Sequence, residues 1–407
     1  MYDLLIVGGG LVGASLAIAL SGQGLRLALI EARPLSAGAE DDERAIALAY
    51  GSRRIFDGLG LWPRLAPHAC SIRRIHISER GGPGVAWLEH RDAGVEALGY
   101  VIEARHLAAK LAQRLAELPD VELCCPARVE TVSVTDAAAT VVLEQDGRHR
   151  QLEARLLVAA DGARSRVREQ LGIPALHWDY GQSAVIANIV TELPHQHIAY
   201  ERFTEDGPLA LLPLGERRMA VVCTVAREQI EAVLALSDDG FLELVRTRFG
   251  ERLGRFLDCG RRQTWPLALI KAREHDRPRL ALIGNAAHTL HPIAGQGFNL
   301  GLRDAAALAE VVSEAQARRT DPGAAEALAR YADWRRWDQR HTIAFTDVLT
   351  RLFGLPVPPL RIARNLGLIA FDLLPGAKHW LARRSMGLDG RLPRLAQGLP
   401  LLREVAS

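Results

Sequence analysis

The sequence predicts an α/β fold: a Rossmann-type domain, an inserted mostly antiparallel sheet, and a helical C-terminal lobe. Three observations predict it. A short apolar run, Tyr2 to Val7, passes through Gly8-Gly9-Gly10 into a helical pattern within the first twenty residues. Two later runs, Arg155–Ala160 and Arg279–Ile283, each end in a glycine-marked turn, Asp161-Gly162 and Gly284-Asn285. From about residue 177 to 275 the pattern alternates as in strands, and beyond Asp333 it becomes helical.

Composition sets the outer limits. The 407 residues are 48% hydrophobic and 24% charged, which excludes a disordered or collagenous chain. Fifty Lys and Arg stand against 48 Asp and Glu, scattered rather than in runs, so no nucleic-acid partner is expected. Cys70, Cys124, Cys125, Cys223 and Cys259 form no C-x-x-C pair and show no metal-ligand spacing. They fit a reducing, cytoplasmic setting, and no metal is expected. Leu4 to Leu25 carries no charge, but Asp3 ahead of it and the glycines inside it read as a soluble βαβ start, not a membrane span or signal.

Taken in order, Tyr2–Val7 is a buried strand, Leu11–Leu20 a helix, and Leu25–Ile30 the next strand, ending on Glu31. The spacing Gly8-x-Gly10-x-x-Gly13 gives a tight turn, a place for backbone to approach a pyrophosphate, and close helix–strand packing. Phosphates then rest on the helix N-terminus. Glu31, 18 positions past Gly13, is placed to accept hydrogen bonds from an adenosine ribose. This predicts a dinucleotide site and leaves NAD and FAD both open.

The stretch Gly284 to Asp304, GNAAHTLHPIAGQGFNLGLRD, follows its strand directly. It is dense in glycine and ends in an amphipathic helix with Leu300, Leu302, Ala305, Leu308 and Val312 at helical spacing. A bland surface loop rarely carries so many special-backbone residues.

With these three motifs on hand, the chain resembles the single-component FAD-dependent aromatic hydroxylases, whose fold is typified by para-hydroxybenzoate hydroxylase, from Met1 to about Arg340. The resemblance implies FAD as cofactor and NAD(P)H as co-substrate. It implies that Gly8, Gly10 and Gly13 hold the ADP half, with Glu31 on the ribose. It associates Asp161 and Gly162 with FAD and NAD(P)H, and Gly284 and Asn285 with the ribityl–pyrophosphate part. Arg44, in DDERAIAL, and Arg105, in VIEARHLAAKL, match flavin-contacting arginines. HPIAGQGFNLGLRD is nearly the signature of the ubiquinone-biosynthesis hydroxylases. Asn285 stands where most of the family has an acid, a form familiar in the branch acting on 2-polyprenyl-6-methoxyphenol.

The implied reaction is ring hydroxylation by O₂ through NAD(P)H-reduced FAD and its C4a-hydroperoxide. The flavin carries the hard chemistry; the protein positions the ring and excludes water. Pro292 fixes the loop's approach beside the isoalloxazine. Gly295, Gln296, Gly297 and Asn299 open the following helix, with free N–H groups toward the pyrimidine edge, where negative charge develops on reduction. His288 and His291 share that loop. A structural role stands beside that of a base for either one, and no catalytic acid or base is assigned.

By this reading the FAD domain is discontinuous (1–70, 100–176 and 276–340), the substrate domain comprises 71–99 and 177–275, and 341–407 is the helical region. That region is broken by Pro356, Pro358 and Pro359. Leu366–Leu374 is too short to span a bilayer; with Arg383 and Arg384 it is either packed core or a membrane-surface contact, at most peripheral to an inner membrane. The expected partners are a prenylated phenol and O₂, with other ubiquinone-biosynthesis proteins as candidates. The rivals are hydroxylation at another ubiquinone-ring position or of a small soluble phenol, and a non-enzymatic flavin-binding scaffold of a biosynthetic complex. A flavin halogenase would show W-x-W-x-I-P, and Trp334 and Trp337 do not lie in one.

Overall fold

The computed structural model describes residues 1–35, 42–354 and 357–401; Pro356 and the last six residues of the helical region lie outside them. Aliphatic runs without polar alternation need cover on both faces, and a parallel sheet between helices supplies it. Tyr2–Val7 pairs in parallel with Leu27–Ile30 on one side and with the end of Arg148–Ala159 on the other. Val121–Cys124 and Leu280–Leu282 extend this sheet outward, again in parallel. All five strands therefore end at one edge. The chain leaves the first strand toward one side and later returns on the other, so a crevice opens where that strand ends, at Gly8.

The second strand begins two residues later than its apolar run suggests, although Leu25 is buried all the same. Helices Leu11–Leu20, Ala104–Ala116 and Gln296–Ala317 contribute to one buried core with this sheet, through Leu16, Leu20, Leu111, Leu302 and Leu308 against Leu4 and Ile6.

Among the described residues a nine-stranded sheet draws on three separate stretches: His288–Thr289 pairs at one edge, and Arg74–Glu79 and Val85–Glu89 are joined to the rest by a parallel pairing of Arg74–Glu79 with Ile198–Thr204. Its strand Gly207–Pro213 alternates in burial as period two requires, while Ala175–Thr191 and Arg218–Ala226 carry runs of three buried residues, covered on both faces. Val185, Leu211, Val221 and Cys223 pack under the helix Asp238–Phe249. Ile186, Ala210, Leu212 and Val222 face a cavity on the other side.

A third sheet of three short strands, Ala45–Ala49, Gly99–Glu103 and Ala69–Ile72, is antiparallel. The C-terminal region holds Ala325–Gly354, Pro358–Asp372 and Pro375–Ser385. The latter two start on prolines, whose missing N–H falls among those a helix start leaves unpaired.

Candidate active site

The three glycines of the first motif have different duties. A Cβ on Gly8 (φ +105°) would lie 2.4 Å from the Ala160 carbonyl oxygen, and one on Gly13 would lie 2.0 Å from the Gly8 oxygen. Both are glycine because the chain itself leaves no room. Around Gly10 nothing lies within 4 Å of that position. Its open side faces two cavities of about 700 and 620 Å³, which share Gly10, Leu11, Arg44 and Trp265 in their walls. The helix that follows has no acid in its first turn to compete for its N–H groups.

Glu31 stands in the wall of the smaller cavity. Its Oε2 accepts from the Gly9 N–H at 2.7 Å and its Oε1 from the Arg33 N–H at 3.0 Å. Arg44 sits where the cavities meet: its guanidinium lies 4.3 Å from the Trp265 ring centroid and donates to both oxygens of Asp42, at 2.7 and 2.5 Å. Arg105 lines neither cavity; it is held by Glu103 at 2.7 Å and Glu43 at 3.7 Å. Glu103 also takes Arg218 at 2.8 Å and Asn188 at 3.3 Å. Burial alone would raise its pKa, but Arg105 and Arg218 outweigh that and hold it below the usual range. This cluster fastens the small sheet to the large one, and its members come from segments far apart in the chain.

Asp161 accepts from the Val167 N–H at 3.1 Å through Oδ2. Its Oδ1 is buried without a partner among the described residues, and burial raises its pKa. Gly162 (φ +85°) lines the main cavity beside it, with open space where a side chain would be.

The third segment forms one wall of the main cavity. Gly284 (φ +57°) lets the long helix approach: a Cβ on Gly301 would lie 2.8 Å from the Gly284 Cα. Asn285 is exposed to the cavity, and its side-chain amide makes no hydrogen bond among the described residues. Pro292, Gly295, Gln296 and Gly297 continue the wall. Gly295, at φ +60°, turns the chain into the helix Gln296–Ala317, whose first turn is also free of acids.

Asn299 lines the same wall but directs its side chain to the protein. Oδ1 accepts from Ala49 N–H at 2.8 Å and Ser52 Oγ at 2.7 Å, and Nδ2 donates to the Ala47 and Gly295 carbonyls at 2.8 and 2.7 Å. With two bonds accepted and two donated, it positions the loop and has no side-chain group left over.

The two loop histidines lie behind the wall. His288 is wholly buried with Nε2 2.6 Å from Asp304 Oδ2. His291 Nδ1 accepts from the Ile293 N–H at 3.3 Å, its ring meets Tyr180 edge-on at 5.3 Å, and burial pushes its pKa down to about 4. Neither lines the main cavity.

These features suit a flavin dinucleotide: adenosine at Glu31, pyrophosphate at the unfilled Gly10 position, and the flavin end along Asn285 and Gly295–Gly297. The free Asn285 amide, which lines the main cavity, is the polar group such a ligand would satisfy.

Comparison with known proteins agrees. Residues 1–339 match the family model described as FAD binding domain. The chain is 38% identical over 405 residues to a ubiquinone hydroxylase, UbiL, of Rhodospirillum rubrum, covering 98% of this chain and 93% of the relative. It is 31% identical to the 3-demethoxyubiquinol 3-hydroxylase of Escherichia coli, covering 95% and 98%. The fold also matches a crystal structure of p-nitrophenol 4-monooxygenase from Pseudomonas putida, at a TM-score of 0.79 with 20% identity over 96% and 99% of the two chains. A crevice of this shape and a match of this length place the chain in the FAD binding domain family, among its flavin-dependent aromatic hydroxylases.

Proposed function

We propose that this protein hydroxylates the aromatic ring of a 2-polyprenyl-6-methoxyphenol in ubiquinone biosynthesis, with NAD(P)H as the electron donor. The observation that carries the reading is the continuation of the main cavity past the flavin wall into the helical lobe. There it is lined by Phe345, Leu349, Phe353, Leu368, Phe371 and Leu381. A small polar phenol has no use for such an extension. A prenyl tail does, because each CH₂ left in water costs about 0.8 kcal/mol.

FAD, held by Gly10, Glu31, Asn285 and Gly295–Gly297, would supply the redox and oxygen chemistry of the hydroxylation, with NAD(P)H as reductant and O₂ as oxygen source. The chain's own residues do the rest. The helix that opens at Gln296 lines the cavity with its first residues, and its N-terminal field would favour negative charge developing there on reduction. Ile186, Leu212 and Val222 of the large sheet roof the ring's space with apolar surface and keep water from it. Asn299, through its four bonds, holds the loop at the height the ring requires. We assign no side chain as acid or base.

Hydroxylation at another position of the same ring is a second reading, favoured by the name of the Escherichia coli relative, which covers 95% of this chain. Mass spectrometry of lipid extracts from a deletion strain separates the two. Accumulation of 2-polyprenyl-6-methoxyphenol supports the first, a later ring intermediate supports the second, and normal ubiquinone contradicts both. Other ubiquinone-biosynthesis proteins are the natural partners of either enzyme.

A further inference from the structure

The helix Pro358–Asp372 has two unlike faces. On one, Ile362, Leu366, Ile369 and Leu373 recur at helical spacing, 64%, 61%, 37% and 74% exposed. Ala363, Gly367 and Ala370 fill the surface between them. An isolated surface helix normally turns polar residues outward. Here the two charged residues between Ile362 and Leu374 both serve the inner side: Arg364 is buried against Glu79 at 2.5 Å, and Asp372 accepts from the Trp87 N–H at 2.9 Å. Asn365 completes that anchor. Its Oδ1 accepts from the Gly84 N–H at 2.9 Å, and a Cβ on Gly82 or Gly84 would lie 2.1 or 2.7 Å from its atoms. The outward direction of the apolar stripe is thus fixed by a close polar fit beneath it.

We propose that this stripe, with Trp380 on the next helix, is a docking surface for an anionic lipid bilayer; the proposal rests on the prenylated-phenol reading above. Two observations select that occupant. Leu368 and Phe371 of the same helix line the far end of the main cavity, so one helix separates the cavity from the exposed stripe. A substrate with a long tail then passes from one apolar phase to another without crossing water. The flanking charge is also one-sided. Between Val357 and Ser385 stand five basic residues and one acid; Arg361, Arg364, Lys378 and Arg384 pair with Glu205, Glu79, Asp372 and Asp389, and Arg383 meets no carboxylate among the described residues. Arg383 is exposed, and Trp380 is 53% exposed. An apolar stripe with a tryptophan and cations at its rim is the chemistry of a headgroup boundary.

The test uses the FAD-loaded enzyme and vesicles of phosphatidylglycerol with phosphatidylethanolamine, beside vesicles of phosphatidylcholine alone. The wild type should sediment with the anionic vesicles and release as salt rises. Leu366→Glu with Leu373→Glu should bind at least about tenfold more weakly, having lost two inserted side chains and gained two like charges. Its flavin content, melting temperature and turnover of a short-chain, water-soluble phenol should not change. Arg383→Glu, which leaves the stripe intact, should weaken anionic binding and spare whatever binding the neutral vesicles show. A wild type that stays in the supernatant with both vesicles overturns the proposal. So does a double variant that binds as well as wild type, or a wild-type dimer that the double variant turns into a monomer, since the stripe would then be covered by a second copy. Failure of a detergent-dispersed prenylated phenol to react would refute the substrate reading and leave the vesicle result standing.

Discussion

His288 Nε2 lies 2.6 Å from the Asp304 carboxylate, and neither side chain has exposed surface. The other Asp304 oxygen accepts from Arg335 at 2.7 Å and Gln339 at 3.0 Å. The pair therefore ties the loop that walls the flavin site to the helix Ala325–Gly354, whose Phe345 and Leu349 line the same cavity. Burial alone would raise the Asp304 pKa; Arg335 and His288 outweigh it and hold the carboxylate well below its ordinary range.

Removing that charge should be costly. Asp304→Ala leaves Arg335 with Asp338 at 2.7 Å but strips His288 and Gln339 of their acceptor, and a loss of about 3–5 kcal/mol is expected in urea denaturation. Flavin retention should fall with it, because the loop loses its backing. A change within about 0.5 kcal/mol, as for an ordinary surface substitution, would mean that the network is not what holds the loop.

The glycines of the first motif should separate fold from ligand. Gly13→Ala forces a Cβ against the Gly8 carbonyl oxygen and should lower the melting temperature even without flavin. Gly10→Thr puts its side chain into open space at a helix start where threonine is about as acceptable as glycine. The apoprotein should therefore melt as wild type does while FAD is lost on gel filtration. The wild type should be yellow and release FAD on denaturation. Equal FAD content in wild type and Gly10→Thr would remove Gly10 from the cofactor site.

Asn285 offers a free amide to the main cavity. Asn285→Asp should keep flavin, since an acid can accept the same hydrogen bonds. Asn285→Leu should weaken it by about 1–3 kcal/mol by leaving a ligand hydroxyl unpaired. Fluorescence titration of the apoprotein with FAD reads both, and an unchanged affinity in the leucine variant would exclude the contact.

Acid should destabilise the fold in two stages. Burial pushes His76, His275 and His291 down to about 4, with neighbouring arginines adding to the effect at His76 and His288 at His275. In the unfolded chain these groups protonate near about 6.5. Between those values unfolding takes up protons, so stability falls as pH falls, at up to about 1.4 kcal/mol per pH unit for each histidine. Above that window they add no slope. Asp304 and Asp338, both held low in the fold against the effect of burial, extend the loss below about pH 4, where the unfolded carboxylates begin to take up protons. Urea midpoints measured from neutral pH downward should decline throughout; a rise toward pH 5 would show that these histidines are not buried neutral.

What the sequence made legible was local. Tyr2–Val7 and Leu11–Leu20 appear with the bounds their patterns imply, because a buried parallel strand and an apolar helix joined by glycines admit few alternatives. The strand Ala45–Ala49 was not legible: three alanines alternating with Ile46 and Leu48, without turn signals, acquire their conformation by pairing with Gly99–Glu103. Placement of side chains was equally hidden. Arg105 carries the right residue type, yet Glu103 and Glu43 turn it away from both cavities. Asn299 sits in the right motif but bonds the protein on every side. One signal was present and unread. Asp304 falls four residues after Leu300 and four before Leu308 on the apolar side of its helix, and an acid in such a stripe implies a buried partner.

The account's central claim is ring hydroxylation of a prenylated phenol on bound flavin. Its most direct test is a single turnover of the FAD-loaded enzyme with NAD(P)H, isotopically labelled O₂ and a short-chain 2-prenyl-6-methoxyphenol, analysed by mass spectrometry. The account predicts a hydroxylated ring carrying one labelled oxygen, with NAD(P)H oxidised in step. Oxidation of NAD(P)H to give only hydrogen peroxide, with the phenol recovered unchanged, would contradict it.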